Sequence, residues 1–283
     1  MSKTISAQAA KAAIHGAGEV AFLDVREAGP FSMGHPLFAV PAPFSTLEWR
    51  VGALVPKLDV PILLLDGGDG IADRAAERLD AMGYTDVSVV QGGAPAWEAA
   101  GFTLFKGVNV PCKLLGELVG ETRAPKRIGP DELADWKAAG RDFAFYDCRP
   151  RSEFAKMTVP GTACLPNGEL AHRLPAAVTP GQPVLITCAG RTRGLIGAVT
   201  LAEVAPEIDI YALENGTQGW ALSGRELLRG NTPSAYPELT DDQRADTAAR
   251  AERFMGKFEV PQTDAGAVSQ MLADTSCTTF LLD

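Results

Sequence analysis

The chain has 283 residues, of which 46% are hydrophobic and 22% charged, with a net charge of −9 and a pI near 5.0. This composition is typical of one large or two medium globular domains and not of a disordered chain. The acidic balance excludes a general nucleic-acid binder, which needs a basic face. No apolar run approaches the roughly 18 residues that a membrane span needs, so neither nucleic acid nor membrane is an expected partner.

Two stretches of the chain repeat one pattern. With an offset of 123, residues 21–26 align with residues 144–149, and Trp97 aligns with Trp220. The offset is 122 in the middle, where Asp66 aligns with Cys188. Self-similarity of this length indicates two copies of one domain. We place copy one at residues 1–107 and copy two at residues 126–230.

Each copy alternates short apolar strands with helices. The predicted strands are 20–23, 62–65 and 87–90 in copy one, and 143–146, 184–187 and 208–213 in copy two. Short and mostly apolar strands are typical of a parallel sheet buried on both faces. The alternation predicts an α/β fold with helices on both faces of the sheet. Ligands of such folds bind at the carboxyl ends of the strands.

Three segments lie outside the copies. Residues 108–125 are predicted to be a loop-like linker. Residues 231–258 are a second linker that contains a helix from about residue 240, with Thr240 as its N-cap and Gln243 in the capping-box position. Residues 259–283 resemble the start of copy one, with a helix and then a strand at 279–283. They predict a truncated third repeat, and the chain is then a fragment of a longer protein.

The residue after the middle strand of copy two is Cys188, and a helix follows the loop 188–193 directly. A helix N-terminus carries about +0.5 charge, and loop amides can converge on an anion. Arg191 and Arg193 add two positive charges. All of these favour the thiolate, which is the nucleophilic form of cysteine. We therefore predict Cys188 as a nucleophile. The residues predicted to bind its substrate, through backbone amides and the two guanidinium groups, are Ala189, Gly190, Arg191, Thr192 and Arg193.

Copy one has a different loop at the matching place. Asp66 stands at the cysteine position, and the loop 66–71 contains two aspartates and no arginine. A loop that lacks a nucleophile and repels anions is not expected to perform the same chemistry. Copy one is therefore predicted to be inactive, with a structural or regulatory role.

The ordered set of motifs resembles the rhodanese (sulfurtransferase) family. It comprises an Asp-x-Arg motif, a Cys-headed loop between a strand and a helix, and a Gly-containing segment before a tryptophan. The matching residues are Asp24-Val-Arg26, Gln91-Gly-Gly93 and Trp97 in copy one, and Asp147-Cys-Arg149, Asn215-Gly216 and Trp220 in copy two. The resemblance implies two rhodanese-like domains, each with a five-stranded, mainly parallel sheet and helices on both faces.

The resemblance also implies an activity. Cys188 would take sulfur from thiosulfate or a similar anionic donor, hold it as a persulfide, and pass it to a thiol or to cyanide. Mercaptopyruvate is the alternative donor. No metal and no organic cofactor is implied. The five cysteines are odd in number and form no CxxC pair, and the first residues lack an apolar stretch of the secretory type. These features predict free thiols in a reducing cytoplasm.

Other residues of copy two have structural interpretations. Asp147 and Arg149 are predicted to form an ion pair that fixes the loops, and Glu153 to lie at the rim of the site. Cys148 and Cys164 are interpreted as core packing in preference to resolving thiols.

Alternative functions stay open. One is a non-catalytic rhodanese scaffold or redox sensor. A cysteine phosphatase needs five residues between Cys and Arg, whereas four separate Cys188 from Arg193. An arsenate-handling enzyme is a further alternative.

Overall fold

The chain folds into two compact units, one formed by residues up to 111 together with residues from 262 onward, the other by residues 112–261. The structure is a computed structural model that describes residues 2–282. None of the helices described is long and apolar enough to cross a membrane.

The first unit contains a sheet of five parallel strands in the order β1-β5-β4-β2-β3. Its elements up to residue 99 are β1 (Lys3–Ile5), α1 (Ala7–Ile14), β2 (Ala21–Asp24), α2 (Ala28–Met33), β3 (Val40–Pro41), α3 (Leu47–Leu54), β4 (Ile62–Leu65), α4 (Ile71–Ala81), β5 (Val87–Val90) and α5 (Gly93–Ala99). A short 3-10 turn, Phe44–Thr46, precedes α3.

The second unit repeats this sheet with strand order β6-β11-β10-β7-β9, again all parallel. Its elements are α6 (Val110–Thr122), β6 (Arg127–Ile128), α7 (Pro130–Ala138), β7 (Ala144–Asp147), α8 (Arg151–Lys156), β8 (Met157–Thr158), β9 (Ala163–Cys164), α9 (Asn167–Ala177), β10 (Val184–Thr187), α10 (Thr192–Val204), β11 (Ile210–Leu213), α11 (Gly216–Leu222), β12 (Leu228–Arg229) and α12 (Asp241–Lys257). Strands β8 and β12 form a separate antiparallel pair.

The middle strand of each sheet is buried on both faces, as its apolar sequence predicts. In β10, Val184 and Ile186 pack into one apolar cluster and Leu185 into another. In β4, Leu64 belongs to one cluster, whereas Leu63 and Leu65 belong to the other. The alternation follows from the two-residue period of a strand. The predicted α/β fold with two five-stranded sheets is confirmed.

The segment 108–125 differs from the predicted loop, because most of it forms helix α6. Pro111 does not prevent this, since a proline in the first turn removes an amide that has no partner within the helix. The helix lies against the start of α10. A side chain at Gly116 would come within 2.5 Å of the Thr192 hydroxyl.

The predicted helix in the second linker forms as α12. The Thr240 hydroxyl accepts from the Gln243 amide, and the Gln243 side chain accepts from the Thr240 amide, so both bonds of the capping box are present.

The chain from 259 onward contains one helix, α13 (Ala265–Ala273). Asp264 caps its N-terminus. The strand predicted at 279–283 is not formed over the described part, residues 279–282, and Asp283 lies outside the described residues. A strand requires a neighbouring strand for its backbone hydrogen bonds. Within this stretch the Thr279 hydroxyl instead donates to the Met271 carbonyl at 3.0 Å, and just before it the Lys57 ammonium donates to the carbonyls of Thr275 and Cys277.

Candidate active site

The candidate site lies at the carboxyl edge of the second sheet, where β7 and β10 end side by side. Their register pairs Asp147 with Thr187, and the Cys148 amide continues the ladder by donating to the Thr187 carbonyl at 2.9 Å. The next residues, Cys148 and Cys188, are therefore neighbours. Both are buried in the same apolar cluster, on the same side of the sheet.

The loop that begins at Cys188 is held by the start of α11. The Thr217 amide donates to the Cys188 carbonyl at 2.8 Å, and the Gln218 amide donates to the Ala189 carbonyl at 3.0 Å. Gly216 has a φ of +52°, and a Cβ at this position would collide with the Cys188 carbonyl oxygen. Only glycine meets both requirements. The Asn-Gly motif before Trp220 thus allows the first amides of α11 to bond the carbonyls of the Cys188 loop.

The Cys188 sulfur lies in a nest of hydrogen-bond donors at the N-terminus of α10. It receives a hydrogen bond from the Cys148 thiol and bonds from the backbone amides of Gly194 and Gly190. The Cys148 bond, these amides and the positive charge of Arg193 together lower the pKa of Cys188 to about 6, against the opposing effect of burial. The same hydrogen bond and burial raise the pKa of Cys148. Cys188 is therefore the thiolate of the pair at neutral pH.

Each loop arginine has a carboxylate partner. The Arg193 guanidinium donates two bonds to Glu153, at 2.6 and 2.9 Å, and Arg191 donates to Glu117 at 2.6 Å. The sequence places two positive charges in this loop, and the structure adds that Glu153 on α8 and Glu117 on α6 balance them. Because these carboxylates offset the charges of the two guanidinium groups, the loop attracts an anion less strongly than the arginines alone would.

Helix α6 covers one side of the loop. Besides the ion pair of Glu117 with Arg191, the Thr192 hydroxyl donates to the Cys112 carbonyl at 3.1 Å. The segment interpreted from sequence as a plain linker therefore supplies part of the site's surroundings.

Asp147 and Arg149 form a buried ion pair beneath the site. The Arg149 guanidinium donates to both Asp147 oxygens, at 2.9 and 2.7 Å, and to the Met157 carbonyl at 2.6 Å. The Thr158 hydroxyl also donates to Asp147, at 2.6 Å. The pair thereby ties the end of β7 to β8. Glu153, which bonds Arg193, lies 3.7 Å from Arg149.

The structure brings most of the sequence-predicted residues to one place. The Gly190 amide bonds the Cys188 sulfur and the charge of Arg193 acts on it, whereas Arg191 and Thr192 face α6 and Ala189 is held through its carbonyl. Sequence reasoning missed three contributors: Gly194, Glu117 and the role of Cys148. Only Cys148 carried a signal, because it aligns with the residue after β2 and so had to lie beside the residue after β10.

The corresponding place in the first unit is occupied by a carboxylate. Asp66 accepts hydrogen bonds from the amides of Gly68 at 2.8 Å and of Gly70 and Ala72 at 3.1 Å. Arg26 pairs with Asp24 at 2.9 and 2.6 Å, in the same way as Arg149 pairs with Asp147. Because its oxygens are taken up by amides, Asp66 is poorly disposed to bind a cation. Among the residues described, no group of three or more acidic, His or Cys side chains is placed to hold a metal ion.

The fold and the site together define a tandem α/β protein in which one copy carries a buried cysteine, Cys188, at the carboxyl edge of its sheet. The rhodanese-like domain family matches the chain twice, over residues 6–100 and 129–223. The chain belongs to the rhodanese family, as the sequence motifs indicated. The tandem arrangement is confirmed by the same two matches.

Among solved structures, the chain is similar to the thiosulfate sulfurtransferase from Pseudomonas aeruginosa, with 36% identity and a TM-score of 0.91. The match covers 98% of this chain and 53% of that one, so the chain spans about half the length of its structural relative.

Two further solved structures match less well. A rhodanese-like domain from Anabaena sp. has 26% identity and a TM-score of 0.35, and the match covers 38% of this chain and 80% of that one. EanB has 17% identity and a TM-score of 0.33, and the match covers 84% of this chain and 64% of that one. No curated protein matches the sequence.

Proposed function

We propose that this protein is a sulfurtransferase that moves the sulfane sulfur of thiosulfate, or of a similar anionic donor, through a persulfide on Cys188. The observation that carries the proposal is the Cys188 sulfur itself. It is bound by the Gly190 and Gly194 amides at a helix N-terminus, with its pKa lowered to about 6. A thiolate at neutral pH, held by donors that also suit an anionic product, is what sulfur capture requires.

In the first step, the Cys188 thiolate attacks the outer sulfur of thiosulfate. A sulfur–sulfur bond forms, the bond to the sulfonate sulfur breaks, and sulfite leaves with the electron pair. Arg193 lies close enough to lower the pKa of Cys188, which supports a role for its guanidinium in binding the sulfonate oxygens and the charge that develops on sulfite. The persulfide is an anion and replaces the thiolate in the same nest of amides.

In the second step, a thiol or cyanide removes the outer sulfur and restores the Cys188 thiolate. Mercaptopyruvate remains the alternative donor, since its carboxylate also suits a guanidinium. A reducing compartment such as the cytoplasm suits this cycle, because Cys188 must stay free of disulfides between turnovers.

The copy in residues 1–107 is proposed to be non-catalytic, and the copy in residues 126–230 to carry the reaction. In the first copy the amides that would bind an anionic sulfur bind the Asp66 carboxylate. A carboxylate neither accepts a sulfane sulfur nor leaves the loop free to bind a donor.

The experiment is a thiocyanate assay with thiosulfate and cyanide, combined with mass spectrometry of the protein after exposure to thiosulfate. We expect turnover and, in samples quenched within the first turnover, one added sulfur atom on the peptide that contains Cys188. The Cys188→Ala variant should lose both, whereas Cys164→Ala, which removes a buried thiol of the same unit, should keep both. Turnover that persists in Cys188→Ala would overturn the proposal. Phosphatase activity without sulfur loading would favour the phosphatase alternative.

A further inference from the structure

A second thiol, Cys148, lies in contact with the candidate nucleophile. The β7–β10 register places the two cysteines next to each other, and both belong to the same buried cluster. Their thiols are joined by a hydrogen bond in which Cys148 donates to Cys188. Adjacent strands lie about 4.8 Å apart, which falls within the roughly 4.4–6.8 Å between Cα atoms that a disulfide requires.

The contact is specific to this pair of thiols. Cys164 is also buried in the second unit, but its thiol points to the Arg149 carbonyl, 3.8 Å away. Cys112 and Cys277 are exposed. In the first unit the two matching positions are Val25 and Asp66, so the pair exists only in the copy that has the candidate nucleophile.

We propose that Cys148 is an internal acceptor for the Cys188 persulfide and that the protein can thereby release the transferred sulfur as sulfide. This step rests on the proposed function, because thiosulfate must first load Cys188. The Cys148 sulfur attacks Sγ of Cys188, the atom to which it is already hydrogen-bonded. A Cys148–Cys188 disulfide forms, the bond from Sγ to the outer sulfur breaks, and the outer sulfur leaves with the electron pair.

The step balances without an outside oxidant. Cys148 enters as a thiol and the persulfide as an anion, and the products are the disulfide and hydrosulfide, which carries the thiol proton. The two cysteine sulfurs are oxidised to a disulfide, and the sulfane sulfur is reduced to sulfide. A small dithiol or a dithiol protein then reduces the disulfide by exchange. Over a full cycle thiosulfate becomes sulfite and sulfide, and one dithiol is oxidised.

The hydrogen bond supplies the proton for this step. The pKa of Cys148 is raised, so it keeps its proton while Cys188 is the thiolate. Once Cys188 carries the outer sulfur, that sulfur gains negative charge as its bond to Sγ breaks and becomes the stronger base near the proton. Transfer of the proton to the leaving sulfur unmasks the Cys148 thiolate as the new bond forms.

A single-turnover experiment tests the proposal. The full chain, reduced and then freed of reductant under anaerobic conditions, is mixed with thiosulfate and no other thiol. Sulfite, sulfide and the state of the cysteine peptides are measured. We expect about one sulfide for each sulfite, and a disulfide that links the Cys148 and Cys188 peptides. Cys148→Ser keeps a hydrogen-bond donor but cannot form the disulfide. It should release sulfite, retain the persulfide, and yield sulfide only when dithiothreitol is added.

Matched controls separate the possible outcomes. Cys164→Ser should behave as the wild-type protein does. A wild-type persulfide that persists with no disulfide and no sulfide would overturn the internal step alone, and so would wild-type levels of sulfide from Cys148→Ser. If thiosulfate releases no sulfite and loads no sulfur, the proposed function fails and the internal step fails with it. Sulfite release by Cys148→Ser also shows that this variant is folded. If the variant does not fold, the sulfide and the disulfide measured for the wild-type protein still decide whether the internal step occurs.

Discussion

The two copies build the same nest of backbone amides and fill it differently. In the first, Asp66 places its own carboxylate against the amides of Gly68, Gly70 and Ala72. In the second, the amides of Gly190 and Gly194 meet the Cys188 sulfur. Both loops are held by the helix that follows the next strand, α5 in the first copy and α11 in the second. The amides of Ala94 and Thr217 in these helices donate to the carbonyl of the first loop residue, each at 2.8 Å.

This comparison separates what the fold requires from what the chemistry requires. The anion at the strand end and the Asp-x-Arg ion pair occur in both copies, so they belong to the fold. The thiol pair and the arginine–glutamate pairs at the loop occur in the second copy. The fold therefore supplies an anion site, and side chains decide whether the anion is a fixed carboxylate or, under the proposed function, a thiolate that accepts sulfur.

The largest expected effect comes from giving the second copy the aspartate that occupies the amide nest of the first copy. Cys188→Asp should abolish thiocyanate formation, because a carboxylate cannot hold sulfane sulfur, yet it should leave the protein folded, since the amides of Gly190 and Gly194 keep an anionic partner. The measurements are the thiosulfate–cyanide assay and thermal unfolding. Retained turnover would contradict the role of Cys188. A large loss of stability would show that the two nests are not equivalent.

The next largest effect concerns Gly93 and Gly216, the first residues of the helices that hold the two loops. Substituting either should lower the stability of its unit, but only the Gly216 variant should lose activity. Gly216→Ala and Gly93→Ala each introduce a Cβ against backbone at a positive φ. Each should lower the free energy of unfolding of its unit by about 1–3 kcal/mol or more. Gly216→Ala should also reduce sulfur transfer because it displaces the Cys188 loop, whereas Gly93→Ala should leave the rate per folded molecule unchanged. Denaturant unfolding measures the loss of stability, and the thiosulfate–cyanide assay measures the loss of activity. Equal losses of activity in the two variants would contradict the proposal that only the second copy carries the reaction.

A smaller effect is expected in the pH profile. The pKa of Cys188 is about 6, and the hydrogen bond from Cys148 is the first cause of its lowering. The thiolate forms above this pKa, so the rate of sulfur loading should rise with pH through about 6 and level off above it. Cys148→Ala should move the rise to higher pH, because the pKa of Cys188 increases. Each unit below the pKa lowers the thiolate fraction about tenfold, so the loss should be greatest in acid and small in alkali.

Stopped-flow measurement of sulfite release between pH 5 and pH 9 tests this shift. Cys148→Ser, which retains a donor, should fall between the wild-type protein and Cys148→Ala. An unchanged profile in Cys148→Ala would show that the amides and Arg193 alone set the pKa of Cys188.

The longer strands and helix α12 could be predicted from the sequence. The predicted strands at 62–65, 87–90 and 184–187 agree with β4, β5 and β10, because buried parallel strands are short apolar runs. The two-residue strands β3 and β9 were not predicted, since two residues carry no periodicity. Helix α12 was predicted from its cap, which is a local interaction.

The site was less predictable than the fold because it depends on contacts between distant segments. Cys188 was found by its position after a strand and before a helix. Glu117 was missed because a helix in the 108–125 segment had not been expected, and its pairing with Arg191 spans 74 residues. Local sequence shows which charges are present, but only the packing shows which of them are balanced.

The smallest expected effect concerns the ion pairs between arginine and glutamate at the Cys188 loop. The matching loop of the first copy, residues 66–71, contains no arginine. Glu117 competes with an anionic donor for Arg191, so Glu117→Gln should lower the KM for thiosulfate and leave kcat nearly unchanged. An exposed ion pair contributes about 1 kcal/mol or less, so the decrease in KM should be about fivefold at most and should shrink as salt is added. Glu121→Gln, on the same helix, removes an equal charge and serves as the matched control. If both variants lower KM equally, the effect comes from net charge and not from the Arg191 pair. If neither does, Arg191 takes no part in binding the donor.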